Sequence, residues 1–310
     1  MRINFQTQFG YEYEKNGLIT DNVYQCFRRA ATKHIQCLRA ASNREKPMQA
    51  VDMFPLTDLP EQLIEHVLSF VDQTDLLESC RHTCKLFRDV IDSNGFWKIK
   101  CLRDGKVIPA YALEELPPRY YQSIYMGNPY GRNLLRNGHG DAPEGEFAGW
   151  RVKGTDWKYE KAPDGADRLP LEKQGCFATS YKRCTKQQVI DLVSEGILPV
   201  IMDTIKPDIE VSDWHAARFD CGCKYKLTVS LLGGKEEVLQ VYSTGWIRTE
   251  QWRGGKWKQV THVFRDYPAG VRFVQFKHSG NDTQFWAGHY GPKMAGGVIR
   301  VRGQRQGAAC

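Results

Sequence analysis

None of the chain's ten cysteines form a Cys-x-x-Cys pair, and Cys221-Gly222-Cys223 has no second pair at zinc-finger spacing, so the signature of a structural zinc site is missing. No stretch approaches the ~20 apolar residues of a membrane helix. The first thirty residues lack the apolar run of ~7–15 residues that marks a secretory signal. These absences predict a cytoplasmic protein without membrane insertion, whose thiols are reduced and mostly buried. Like charges never run to five, and the net charge of +7 is spread along the chain. A nucleic-acid-binding face would concentrate it, so no nucleic-acid partner is expected. Gly-x-Gly-x-x-Gly, phosphate-loop and nucleophile-elbow patterns are also absent. No catalytic residue, cofactor or metal is therefore expected in this chain. No fixed-period repeat or low-complexity tract is present.

What is present divides the chain. Its 310 residues, 41% hydrophobic and 12% aromatic, are enough for two packed domains. Residues 21–41 place Val23, Phe27, Ala30 and Leu38 at near-helical spacing between arginines. Glu12, Glu14 and Asp21 argue against a mitochondrial leader and for a surface helix. From Asp58 the pattern sharpens. Asp58 and Glu61 make a capping pair, and Pro60 sits near the first helical position. Leu63, Ile64, Val67, Leu68 and Val71 then form one apolar stripe. A second short helix capped by Thr74 or Asp75 carries Leu76, Leu77 and Cys80, and a third holds Cys84, Leu86, Phe87, Val90 and Ile91. The turn Ser93-Asn94-Gly95 delivers Phe96 and Trp97. So small a unit has too little interior to bury all this apolar surface, and part of the stripe should seek a partner.

Beyond Pro117-Pro118 the texture becomes β. Tyr225, Leu227, Val229 and Leu231 alternate with polar or small residues, with Gly233-Gly234 as a turn. Residues 238–242, 257–264, 271–277 and 298–301 are further strand candidates. The pairs Gly254-Gly255 and Gly296-Gly297 and the run Ser279-Gly280-Asn281-Asp282 read as turns between them. Residues 185–195 read as a helical interruption. Many short strands with Gly-rich turns predict an antiparallel sandwich or barrel.

Specific blocks carry a resemblance. Leu59-Pro60-Glu61-Gln62-Leu63-Ile64, Leu76-Leu77, Cys80, Cys84, Phe87 and Trp97 resemble an F-box, the helical motif that docks on the Skp adaptor of cullin-based ubiquitin ligases. Farther on, Arg132–Asn137, Gly149-Trp150, Gln188–Leu192, Ile209–Trp214 and Tyr267–Val274 occur in order. They resemble the F-box-associated (FBA) domain of the sugar-recognising F-box family. The resemblance implies an α+β multidomain chain: extension 1–53, three-helix F-box 54–101, linker 102–126, jelly-roll or galactose-binding-like antiparallel β-sandwich 127–303, and tail 304–310.

It further implies that Leu59, Pro60, Leu63, Ile64, Val67, Leu76 and Leu77 hold the Skp adaptor and, through it, the cullin scaffold. Tyr181, Phe285, Trp286 and Ala287 would meet the chitobiose core of N-glycosylated substrates. The implied role is a non-catalytic receptor that selects misfolded glycoproteins at the cytosolic face of the endoplasmic reticulum for ubiquitination and degradation. Sugar chemistry suits those residue types, because a rigid aromatic plate packs on the C–H face of a ring while neighbouring polar groups meet its hydroxyls. In a bare strand, however, an adjacent Phe-Trp pair would straddle the core.

Ala287 stands where relatives that bind glycans best carry Lys, removing a charge-assisted hydrogen bond of a kind worth about 1.5–3 kcal/mol. Phe285 replaces Tyr, and Tyr181 replaces Phe. Lys293 or His289 would have to supply the missing donor. The altered pocket keeps two alternatives open: an F-box receptor for non-glycosylated targets, and a lectin-like or scaffold module outside the ligase. A carbohydrate-active enzyme would need a carboxylate pair from Asp203, Asp208, Glu210, Asp213 and Asp220. His215, His262, His278 and His289 lack metal-site spacing.

Overall fold

The alternation of Tyr225, Leu227, Val229 and Leu231 becomes a strand buried along one whole face, with each of the four at 0% exposure. The computed structural model describes residues 60–109, 115–154 and 156–303; the readings made for residues 1–59, including Asp58 and Leu59, and for 304–310 lie outside them. The described residues fall into two compact units, 60–106 with 115–125, and 107–109 with 126–303.

The first unit is helical. Helix α1 (Glu61–Ser69) begins behind Pro60, and α2 (Gln73–Glu78) is capped by Asp72, whose carboxylate accepts the Thr74 amide at 2.9 Å. The cap expected at Thr74 or Asp75 is thus Asp72, two or three residues earlier. A tight turn at Cys80–His82 leads to α3 (Lys85–Asp92), where the Cys84 sulfur accepts the Phe87 amide. Ser93-Asn94-Gly95 is not a turn ahead of Phe96. The Ser93 hydroxyl accepts the Phe96 amide at 3.1 Å and starts α4 (Asn94–Arg103), as serine does at an N-cap. Among the described residues, α4 thus joins the three expected helices ahead of α5 (Tyr120–Gly127). The Lys100 ammonium is buried and donates to the Ser69 and Val71 carbonyls at 2.9 and 2.7 Å, satisfying the end of α1. Burial lowers its pKa to about 8.

The second unit is a sandwich of two antiparallel sheets. One holds β1 (Arg151–Lys153), β4 (Cys184–Asp191), β10 (Phe273–Asp282), β6 (Cys223–Leu232) and β7 (Val238–Ser243) in that order, with β8 (Ile247–Thr249) also on β6. The other runs β2 (Lys158–Glu160), β3 (Cys176–Ala178), β11 (Lys293–Val301), β5 (Ile209–Ala216) and β9 (Lys258–Phe264).

Three sequence expectations fail here, each for a packing reason. Residues 185–195 are no helix, because β4 alternates burial with Cys184, Lys186, Gln188 and Ile190 inward; its inward face is partly polar and hides the period. Ser279-Gly280-Asn281-Asp282 is no turn, because β10 stays paired to β6 as far as Asp282. Gly280 is required there because a side chain would run into Pro292. Gly296-Gly297 lies inside β11 as a bulge between Ala295 and Val298.

A polar layer joins the sheets. The Asp213 carboxylate on β5 accepts the Tyr225 hydroxyl (2.7 Å) from β6 and His278 Nδ1–H (2.9 Å) from β10. Beside it Lys186 is fully buried, its ammonium 3.3 Å from the Trp150 ring centroid and 3.5 Å from that of Phe177. Burial drives its pKa well below the usual lysine range. Burial also lowers His278 and His215, the latter stacked on Tyr225 at 4.1 Å, to about 4.

A base with a depressed folded-state pKa stabilises the fold least when the unfolded chain can protonate and the folded one cannot. Stability should therefore fall as pH drops from about 6.5 toward about 4, by about 2 kcal/mol per histidine between pH 7 and 5. Melting temperatures measured across that range should show the fall. His215→Phe, which keeps the ring stack, should remove the roughly 2 kcal/mol that His215 contributes to that fall; an unchanged slope would reject this assignment.

Candidate functional site

The strand that ends at Asp282 delivers the chain to the edge of the sandwich, where Asp282 redirects it. Its buried carboxylate accepts the Gln284 amide (3.0 Å) and the Phe285 amide (2.7 Å). Burial raises its pKa, against the lowering effect of those two amides. The turn forces Phe285 to φ +56°, a left-handed backbone that costs a bulky side chain about 1–2 kcal/mol. Phe285 is left 78% exposed. Trp286, 36% exposed, stands edge-on to Tyr290 with centroids 5.5 Å apart at 89°. Gly288 adopts φ +126°, and a Cβ there would lie 2.7 Å from the Tyr290 ring. The tandem aromatics thus occupy a loop, not a strand that would bury one of them.

Neighbouring loops brace this one. The Ser180 hydroxyl donates to the Gly288 carbonyl at 2.6 Å, and the Asp282 amide donates to the Ser180 carbonyl at 2.9 Å. These bonds bring half-buried Tyr181, the next residue, to the same edge. On the other flank the Gly222 amide donates to Gln284 Oε1 at 2.7 Å, and the Thr283 amide to the Gly222 carbonyl at 2.9 Å. Ala287 is exposed. Lys293 does not supply its missing donor, because its ammonium is buried and paired with Glu160 at 2.6 Å. His289 is half-buried, and desolvation lowers its pKa.

The five carboxylates considered for catalysis each engage a separate partner. Asp203 pairs with Arg272 at 2.7 Å, Asp208 with Arg265 at 3.2 Å, Glu210 with Arg302 at 3.1 Å and Asp220 with Arg218 at 2.8 Å; Asp213 serves the inter-sheet layer. Among the described residues, no group of three or more His, Cys, Asp and Glu is placed to hold a metal ion. Cys84, Cys101, Cys176, Cys184, Cys221 and Cys223 are free thiols, and burial raises the Cys176 and Cys223 pKa values to about 12. Among the described residues no helix is long and apolar enough to cross a membrane.

The apolar stripe of the helical unit splits in two. Ile64 and Leu76 are 2% and 0% exposed and belong to the unit's own core, together with Leu68, Phe87 and Trp97. The face expected to hold the Skp adaptor therefore includes two residues that this unit buries. Pro60 and Leu63 are exposed, Leu63 at 40%, and Val67 and Leu77 are half-buried. A helical repeat marks an apolar side without saying which residues of it face inward. Sequence reasoning also missed Tyr290, whose only sequence signal was its place in the same turn-bracketed loop.

Two family models match the chain: the F-box domain over residues 56–99 and the F-box associated region over 125–301. Human F-box only protein 6 is 37% identical over 83% of this chain and 87% of its own length. Human F-box only protein 44 is 38% identical over 79% and 96%, and mouse F-box only protein 27 is 37% identical over 85% and 96%. A carbohydrate-binding module solved with β-1,4-galactotriose superposes on 56% of this chain and 100% of its own at 18% identity, with a TM-score of 0.38.

If Asp282 sets the turn, Asp282→Ala should lower the melting temperature by the equivalent of about 1 kcal/mol, as loss of a capping side chain does. Phe285→Gly should leave stability unchanged or raise it, because glycine accepts φ +56° without strain. Thermal denaturation of the two variants checks both signs; destabilisation by Phe285→Gly would show that Phe285 packs for the fold.

Proposed function

Because the chain belongs to the F-box proteins that carry an F-box associated region, we propose that it is a non-catalytic substrate receptor of a Skp–cullin–F-box ubiquitin ligase. In this reading the helical unit docks on the Skp adaptor, and the sandwich edge receives N-glycans of misfolded glycoproteins in the cytoplasm, at the endoplasmic reticulum surface. The domain limits follow the same reading: extension 1–53, F-box 54–101, linker 102–126, sandwich 127–303 and tail 304–310. The observation that carries the glycan half is the exposed Phe285–Trp286 pair, held out by a buried carboxylate and braced from two sides. Rigid, solvent-facing aromatic plates are what the C–H face of a sugar ring needs.

Ala287 favours keeping a second reading, in which a non-glycosylated protein segment occupies the same edge. Retention on immobilised high-mannose glycoprotein, before and after removal of its glycans, separates the two. Wild type should be retained only when the glycans are present, and Trp286→Ala should abolish retention. Retention that survives deglycosylation would move the assignment to the protein target.

For the docking half, Leu63→Asp should abolish co-purification with the Skp adaptor, since charging an interface anchor costs upwards of ~2 kcal/mol. It should leave the melting temperature nearly unchanged, because Leu63 is already 40% exposed. Ile64→Ala, in the core, should instead destabilise the unit by about 2–5 kcal/mol. An adaptor complex that tolerates Leu63→Asp would reject the docking face.

A further inference from the structure

The aromatic surface does not stop at Trp286. Tyr290, 5.5 Å from Trp286, lies under the Arg218 guanidinium at 5.0 Å. The same guanidinium lies 5.7 Å from the Phe219 ring, and Phe219 meets Trp252 at 6.5 Å and 55°. Five side chains thus follow one another without a break, from the β10–β11 loop across the β5–β6 loop to the β8–β9 loop. The far end is open, with Phe219 50% and Trp252 68% exposed.

This far end is built as the near end is. Trp252 sits at φ +64°, a second bulky aromatic held in the left-handed region at a loop tip. The Phe219 amide donates to the Gly165 carbonyl at 2.8 Å, and the Gly255 amide to the Ala217 carbonyl at 2.9 Å. A Cβ on Gly222 would lie 2.6 Å from the Thr283 hydroxyl and 3.0 Å from the Gln251 amide, so three loops close on that one glycine.

Between the two ends, Arg218 donates from Nη1 to Asp164 at 2.7 Å and from Nε to Asp220 at 2.8 Å. Two carboxylates offset its charge, so an anionic ligand gains little there. Ring hydroxyls, in contrast, find planar donors and acceptors fixed between aromatic plates.

We propose that Arg218, Phe219 and Trp252 form a second sugar subsite, which receives a further uncharged pyranose ring of the oligosaccharide whose first ring rests on Trp286. The subsite rests on the glycan reading above and adds selectivity for longer, neutral glycans.

Calorimetric titration of the full chain with chitobiose, a neutral high-mannose oligosaccharide containing it, and a sialylated oligosaccharide tests the proposal. Wild type should bind the high-mannose sugar about tenfold tighter than chitobiose, as expected for one added ring contact, and should not favour the sialylated one. Trp252→Ala and Phe219→Ala should erase that gain and leave chitobiose affinity intact, whereas Trp286→Ala should weaken both sugars. Both new positions are at least half exposed, so unchanged melting temperatures should accompany the loss.

A length gain that survives Trp252→Ala and Phe219→Ala overturns the subsite and leaves the Trp286 plate standing. Preference for the sialylated sugar overturns the proposed neutrality. Weaker capture of glycoprotein by Trp252→Ala, with free oligosaccharide binding unaffected, assigns the far end to polypeptide and overturns the sugar subsite. No binding of any sugar by wild type overturns both readings.

Discussion

The geometry of the sandwich edge depends on one buried carboxylate. Asp282 ends a strand that is paired on both sides, to β4 as far as Gly280 and to β6 along its whole length. Its position is therefore fixed by the sheet and not by the loop it begins. From there it accepts two successive amides and imposes a backbone that Phe285 would not adopt alone. Burial raises the pKa of this carboxyl, and the same amides that hold Phe285 left-handed partly offset that rise. The fold maintains a buried acid and a strained aromatic, and the product is a hydrophobic plate facing water. Neither feature helps the core. Such costs persist where the surrounding structure over-determines them, and that is where binding surfaces are found.

The same logic explains why the sheets contain a polar layer. The Tyr225 hydroxyl and His278 Nδ1–H both meet one Asp213 oxygen across the two sheets, and Lys186 rests on the faces of Trp150 and Phe177. An apolar layer would stabilise at least as well. A hydrogen-bonded one adds directionality, because Tyr225 and His278 must meet the same Asp213 oxygen. That requirement holds β5 in place against β6 and β10. These strands run directly into the loops that carry Arg218, Phe219 and Phe285. We regard the polar layer as the element that aligns the two halves of the binding edge.

How much of this could be read from the sequence depended on whether the signal was local. The β6 strand was legible because its inward residues are all apolar. The β4 strand was not, because Lys186 and Gln188 occupy its inward face and the remaining apolar residues mimic a helical repeat. Gly280 and Gly296-Gly297 looked like turns because glycine reports close approach as readily as chain reversal. In the helical unit the apolar stripe was legible, yet only packing separates Leu63 from Ile64. Phe285 and Trp286 were found through a family motif. Arg218 and Phe219, Trp252, and Tyr290 come from three separate parts of the chain, and no one-dimensional pattern connects them.

The charge around the edge favours contact over electrostatic attraction as the basis of recognition. From Asp282 to Lys293 the loop carries no lysine or arginine apart from Lys293 itself, which is neutralised by Glu160. Arg218 is neutralised by Asp164 and Asp220. Two further cations lie over aromatics, Lys182 over Tyr181 at 5.4 Å and Arg183 over Trp246 at 5.0 Å. A site of this kind gains little from any single polar contact, so its affinity must come from the area and rigidity of its plates. Loss of a donor at Ala287 and exposure of additional aromatics at Phe219 and Trp252 are then physically complementary. In the proposed reading the first weakens the grip on one ring, and the second extends the surface along which a longer neutral ligand would lie.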